Sequence, residues 1–243
     1  MVKEYINFIG TDGSGKDTIF NIIKALFTNP LLTKEPGGTK EAEKIRTILL
    51  ESELTDKERL QVINSLLRSK VINKKTETLL RKAYESLETF GIINAEPFLY
   101  AASRSESIEK MILPAIEKGQ TVLGRRSVAC SVAYQGKGRE MGMEYIWELN
   151  KEVVKEALPT LEVFFDVPVH VAMERLSNRT EKKDRLDKED YAFFERVREG
   201  YLYYYKNICP YPYIIINANQ TIEEVYTETL NLIKNHTKTD LIV

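Results

Sequence analysis

Cysteine and histidine are scarce in this chain: its 243 residues include two cysteines, Cys130 and Cys209, and two histidines, His170 and His236. Two cysteines cannot build a disulfide framework and point to a reducing, cytoplasmic setting. Two histidines remove most zinc sites and most histidine-based nucleophile schemes. An excess of charge is also missing. The formal net charge of −1 gives no overall pull toward nucleic acid or an acidic membrane surface. No apolar run approaches the ~20 residues of a membrane span. The opening "MVKEYINFIG" is too short and too polar for a signal peptide, because it enters a strand almost at once.

What is present describes an ordinary globular protein, 43% apolar and 29% charged, long enough for a good core and best read as one domain over 1–243. Apolar runs alternate with longer helical patterns. "YINFIG" (5–10), "LLTKEP" (31–36), "TVLG" (121–124), "LEVFFDV" (161–167) and "YPYIIIN" (211–217) read as strands. Helices are expected over 15–28, 39–52, 97–118, 142–157, 188–208 and 221–236. Strands apolar on both faces, alternating with helices, predict an α/β chain with a parallel sheet between helical layers. Residues 53–92 look inserted. Leu60, Ile63, Leu67 and Val71, then Leu80, Ala83, Leu87 and Phe90, form two amphipathic patterns around Asn73-Lys74-Lys75. They predict a helical hairpin on the surface, with one face solvated.

The stretch "FIGTDGSGKDTIF" (8–20) follows the first strand and opens a helix. Gly10, Gly15 and Lys16 hold the spacing of a phosphate-binding loop, in which backbone N–H groups of Gly13, Ser14 and Gly15 and the helix N-terminus bind phosphate. Lys16 would reach the β- and γ-phosphates. The position that usually supplies a Mg²⁺-touching hydroxyl holds Asp17 instead, followed by Thr18. A carboxylate is also a hard oxygen ligand, so Asp17 is the candidate for holding Mg²⁺. A merely structural glycine turn is the alternative.

Further stretches follow in order: "TKEPGGTKEAEKIRTILL", "PFLYAASRSESIEKM", "TVLGRRSVACSVAYQGKGR" and "DRLDKEDYAFFERVREGY", then "INANQTIEEV". This succession resembles the thymidylate kinase family over nearly the whole chain apart from 53–92. The resemblance implies the P-loop nucleoside-monophosphate kinase fold: a three-layer α/β/α domain around a five-stranded parallel sheet. It also implies Mg²⁺-dependent transfer of the ATP γ-phosphoryl to dTMP. For the acceptor it implies that Tyr100 and Arg104 hold the base, Arg126 grips the phosphate, and Tyr134 and Gln135 line sugar and base. Asp12 would contact the acceptor sugar and the metal-phosphate region. Glu35 would back the phosphate within the "EPGG" turn, and Ser131 would flank the base. Gln220 would lie on the ATP side. The loop Thr11-Asp12-Gly13-Ser14 has no arginine, so catalytic arginines are expected from a lid at 175–187, as in bacterial-type members. Arg179 or Arg185 would close over the transferred phosphoryl, with Arg175, Lys182 and Lys183 nearby. A homodimer is implied as well, without nucleic-acid or membrane partners.

Four positions depart from the family pattern: Ile9, Ser103, Asn217 and Arg125. The last replaces an aspartate after the third strand and reverses the local charge. Asp17 adds an acid to the same neighbourhood, and the two changes read as coupled. Two other readings stay open: the same chemistry on another nucleoside monophosphate such as dUMP, and a nucleotide-binding homologue with weakened catalysis.

Overall fold

Strand β1 (Tyr5–Ile9) is buried along its whole length, and its alternation explains the layering. Ile6 and Phe8 point into one apolar cluster, and Tyr5 and Ile9 into another on the opposite face. A strand apolar on both faces has to be central. The computed structural model describes residues 4–178 and 184–237. Its sheet adds β2 (Leu31–Lys34), β3 (Val122–Arg125), β4 (Leu161–Asp166) and β5 (Tyr213–Asn217) in the order β2-β3-β1-β4-β5. Each pairing is parallel. All five strands lie where the sequence predicts them, within two residues at each end.

The helices are α1 (Lys16–Ile23), α2 (Lys40–Leu50), α3 (Asp56–Ser69), α4 (Lys74–Phe90), α5 (Ile92–Ser107) and α6 (Leu113–Glu117). Then come α7 (Val128–Ser131), α8 (Met143–Val154), α9 (Val169–Ser177), α10 (Tyr191–Asn207) and α11 (Ile222–His236). One sheet face packs Phe8 and Phe165 against Ile19, Phe20 and Ile23 of α1 and Val225 and Ile233 of α11. The other carries Ile9 and Phe164 against residues of α2, α5 and α10, including Tyr201 and Tyr205. The "YLYYY" run is therefore core at Tyr201, Tyr204 and Tyr205, while Leu202 and Tyr203 are exposed.

Three helical expectations need correction. The hairpin 53–92 forms, but it is not a superficial pair: Leu79, Leu80, Ala83 and Leu87 of α4 are buried in the main core. Val71 and Phe90, expected on its apolar faces, are exposed. The next helix starts at Ile92 rather than at Pro97, because α4 ends on Gly91 at φ 80 and α5 begins directly after it. Residues 128–138 and 169–177 are helical where no helix was expected. Glycines admit the first of these by close approach. A β-carbon on Gly138 would lie 2.8 Å from Val197, and one on Gly200 3.0 Å from Ala133. Tertiary contact overrides the poor helix propensity of Gly136 and Gly138.

Candidate active site

Register brings three strand ends together. Phe8 pairs with Arg125, Lys34 pairs with the same residue, Arg126 N donates to Phe8 O at 3.0 Å, and Glu35 N donates to Arg125 O at 2.9 Å. The glycine loop after β1, the arginines after β3 and the "EPGG" turn after β2 therefore share the carboxyl edge of the sheet, where open α/β sheets place their ligands. Arg126 itself has φ 67, a left-handed conformation that a side chain seldom adopts. Such strain is kept where the surroundings over-determine it.

In the loop, Gly13 and Gly15 have φ 81 and 82. A β-carbon on Gly13 would lie 2.3 Å from the carbonyl oxygen of Ala172 in α9, so only glycine lets the loop close on that helix. A β-carbon on Gly10 would lie 2.5 Å from Ser14 Oγ. Beside Gly15 the space is open, and the buried Ser14 hydroxyl has no hydrogen-bond partner among the described residues. Ser14 N donates to Thr11 O at 3.2 Å, and the unsatisfied hydroxyl beside the open space at Gly15, at the start of α1, is chemically suited to an anion. Lys16 lies buried beneath it. Its Nζ reaches Thr11 O, Asp12 Oδ1 and Asp17 Oδ2, each at 3.3 Å.

Charges alternate across the cleft. Arg125 Nη1 lies 3.0 Å from Asp17 Oδ1, Lys16 stands between the two aspartates, and Arg126 Nη2 lies 2.5 Å from Asp12 Oδ1. Burial alone would raise the Asp12 carboxyl, but Arg126 and Lys16 outweigh it and hold it well below the usual carboxylate range. Asp17 is lowered in the same way, against its burial, by Lys16, Arg126 and Arg125. Both therefore stay ionised at neutral pH.

All eight residues assigned to the acceptor line one cavity: Asp12, Glu35, Tyr100, Arg104, Arg126, Ser131, Tyr134 and Gln135. Tyr100 and Arg104 stand four residues apart on α5 and so face the same side. Arg104 is fixed by Nε and Nη2 on Glu35 Oε2, at 2.8 and 2.7 Å, by Nη2 on Ser131 Oγ at 3.1 Å, and by Nη1 on Asn150 Oδ1. These contacts engage all three of its nitrogens. Burial raises the Glu35 carboxyl, and Arg104 opposes that. The Tyr134 hydroxyl is buried without a hydrogen-bond partner among the described residues, and the half-buried Cys130 also borders the cavity. Ser103, one of the departures, has a local explanation: its Oγ accepts from Gly37 N at 3.0 Å and braces the "EPGG" turn.

An adjoining open cleft shares Asp12, Glu35 and Arg126 with this cavity and adds Asp17 and Arg125. On the far side of the loop, Gln220 lines a third hollow with Ser14, Gly15 and Thr18. Arg175 ties the two sides, with Nη1 donating to Gly13 O at 3.3 Å and to Ala218 O at 3.2 Å. Arg185 reaches the acceptor side, where Nε donates to Leu49 O at 3.1 Å and Nη2 lies 2.5 Å from Glu96 Oε1. Arg179, Lys182 and Lys183 lie outside the described residues. Three residues escaped the sequence reading. Arg46 lines both cavity and cleft, Asn150 braces Arg104, and Glu96 is buried behind the cavity. Glu96 stands four and eight residues before Tyr100 and Arg104 on one helix face, but the helix expected from Pro97 left it outside.

The family model described as thymidylate kinase matches residues 8–87 and 68–229, two segments that overlap within the α3–α4 hairpin. The chain belongs to the thymidylate kinase family. It is 34% identical to thymidylate kinase of Lactobacillus acidophilus over 242 residues, covering 96% of this chain and 95% of that one. To thymidylate kinase of Mycoplasma capricolum it is 34% identical over 234 residues, covering 94% and 93%. The crystal structure of thymidylate kinase from Ehrlichia chaffeensis has the same fold, with a TM-score of 0.59 over 96% of this chain and 99% of that one at 23% identity.

Proposed function

We propose that the chain transfers the γ-phosphoryl of ATP to dTMP, giving dTDP and ADP. One observation carries the reading: the eight acceptor residues share a cavity that meets the phosphate loop at Asp12 and Arg126. The acceptor phosphate would lie between Arg126 and Arg46, whose forked guanidiniums suit bidentate contact. The donor phosphates would lie on the loop N–H groups with Lys16 at the β,γ end. A phosphate oxygen of dTMP then attacks the γ-phosphorus in line as the bond to the ADP oxygen breaks, without a covalent enzyme intermediate. The chain's work is positioning and charge neutralisation. Arg185, and Arg179 in the lid segment, would complete the neutralisation once both nucleotides are bound.

Mg²⁺ suits the residues present. Among the described residues no cluster of three or more His, Cys, Asp or Glu could hold an ion alone. Mg²⁺ at a triphosphate needs only one or two carboxylates beside phosphate oxygens. Asp17, ionised and half-exposed at the cleft, would supply one, and the bound ion would offset phosphate charge. By family resemblance the enzyme would be a cytoplasmic homodimer, testable by light scattering. The overlap of the two family matches within α3 and α4 supports reading 53–92 as an addition inside a single kinase domain.

A coupled ADP-release assay with Mg²⁺-ATP tests the reading against dTMP, dUMP, dCMP, dGMP, dAMP and UMP. Highest kcat/KM on dTMP is the expected result. Higher turnover on another acceptor would move the substrate, and no turnover by folded, ATP-binding protein would overturn the activity.

A further inference from the structure

Glu96 is fully buried on α5 and has no part in the assignments above, yet it joins three polar groups of the acceptor region. Its two oxygens are used differently. Oε2 accepts from Nε2 of Gln135 at 2.9 Å. Oε1 faces two guanidiniums, Arg185 Nη2 at 2.5 Å and Arg139 Nη2 at 3.5 Å. Each arginine has a second partner. Arg139 also reaches Glu189 Oε1 at 2.6 Å and lies 4.8 Å from the Phe193 ring centroid, while Arg185 is pinned to Leu49 O.

A carboxylate only accepts hydrogen bonds, and a guanidinium only donates them. Glu96 therefore takes the amino end of the Gln135 amide, and the end turned away from it is the carbonyl. Gln135 lines the acceptor cavity. We propose that Glu96 is a specificity-determining positioning residue, which fixes the Gln135 amide so that the cavity offers the acceptor base a hydrogen-bond acceptor. This rests on the acceptor-site reading given under the proposed function. A pyrimidine imide, with its ring N–H between two carbonyls, meets that oxygen with a donor. An aminopyrimidine meets it at the same ring position with a lone pair and is repelled. A buried mismatch of this kind costs more than a missing contact, because both groups lose water without gaining a partner.

The substitution Glu96→Gln inverts the arrangement by chemistry alone. Arg139 and Arg185 still only donate, so they take the new carbonyl. The new amino group then faces Gln135, whose amide must turn its carbonyl toward residue 96 and its amino group toward the cavity. Calorimetric titration with dTMP and dCMP reads this directly and needs no turnover. The wild-type protein is expected to prefer dTMP. In the variant the ratio of dCMP to dTMP dissociation constants should fall about tenfold or more, with ATP binding unchanged and the kcat/KM ratio following. A folded variant in which both nucleotides weaken by the same factor would overturn the proposal, since a merely structural carboxylate behaves that way. If Glu96→Gln does not fold, Glu96→Gln/Arg139→Gln removes one charge of each sign and is read by the same ratio. A wild-type protein that does not prefer dTMP would instead overturn the acceptor-site reading on which this role depends.

Discussion

Arg125, the last residue of β3, donates through Nη1 to Asp17 Oδ1 at 3.0 Å, in the first turn of α1. The two least expected residues of the site are thus partners, and the run Arg125–Asp17–Lys16–Asp12–Arg126 alternates in charge from end to end. Such a run keeps each cation paired until phosphates arrive, and its three cations against two carboxylates leave one positive charge for them. Set against the family pattern, Asp17 stands in place of a hydroxyl and Arg125 in place of an aspartate, so a carboxylate is gained on the loop where one is lost after β3.

That exchange predicts non-additive kinetics. Arg125→Asp alone would set two carboxylates face to face and raise both the KM for ATP and the Mg²⁺ concentration for half-maximal rate. Asp17→Ser/Arg125→Asp should recover most of the loss, with a coupling energy of about 1–2 kcal/mol in kcat/KM. Stability should change by less than ~1 kcal/mol, because the pair is largely solvated. Effects of the two substitutions that simply multiply would show that the pair is not a unit.

Arg126→Ala should lower kcat/KM for dTMP by about 100-fold or more, through loss of a bidentate phosphate contact. Its effect on the dissociation constant for ATP should be small by comparison. The same substitution removes the guanidinium that keeps Asp12 ionised, so the acid limb of the pH–rate profile should move upward. An Arg126→Ala enzyme with near-normal kcat/KM for dTMP would remove this residue from the acceptor site.

Strand positions and the shape of the glycine loop were legible because each follows from a local pattern, whereas the residues that share the acceptor cavity were named only through the family resemblance. The β1 run, apolar on both faces, allowed only a central strand, and Gly10-x₄-Gly15-Lys16 leaves its backbone few alternatives. What was missed depends on contacts distant in sequence. Residues 128–138 contain Gly136 and Gly138, poor helix formers, and are held helical by packing on Met143, Phe193 and Val197. Pro97 reads as a helix start, but Gly91 sets the real boundary five residues earlier. Arg59 was an unremarkable charge in an amphipathic pattern, yet it is buried and caps the end of α2, donating to Ile48 O at 3.0 Å and Glu51 O at 2.7 Å. Nothing local distinguishes such an arginine from a solvated one.

Glu162 should make stability fall as pH rises. It sits inside β4 with Oε2 accepting from Tyr205 OH at 2.9 Å and Oε1 buried without a hydrogen-bond partner among the described residues, and burial pushes its carboxyl up to about 7 from 4.5. Because the folded value is the higher one, its contribution is full below about 4.5 and is lost as pH rises to about 7. Paired carboxylates such as Asp12 act in the opposite sense, so the comparison has to be made against a variant. Glu162→Gln, which keeps the shape and stays neutral, should gain on the wild type by about 2–3 kcal/mol between pH 5 and pH 8. Thermal unfolding of both proteins across that range is the check, and parallel curves would mean Glu162 is ionised in the fold at no cost.

Gly13→Ala separates the loop's shape from its charge. The new methyl would meet the Ala172 carbonyl at 2.3 Å, and the residue would be held at φ 81, where alanine is strained. Backbone, not a yielding side chain, stands in the way, so either the loop shifts or α9 does. Both loosen the link that Arg175 makes between Gly13 O and Ala218 O. The expected cost is about 2–4 kcal/mol of stability. ATP binding should be lost even at temperatures where the protein stays folded, while dTMP binding, whose cavity lies on the other side of Asp12, persists. Calorimetric titration with each nucleotide at low temperature distinguishes the cases. Parallel loss of ATP and dTMP binding would mean that the loop and the acceptor cavity are one mechanical unit rather than two sites joined at Asp12 and Arg126.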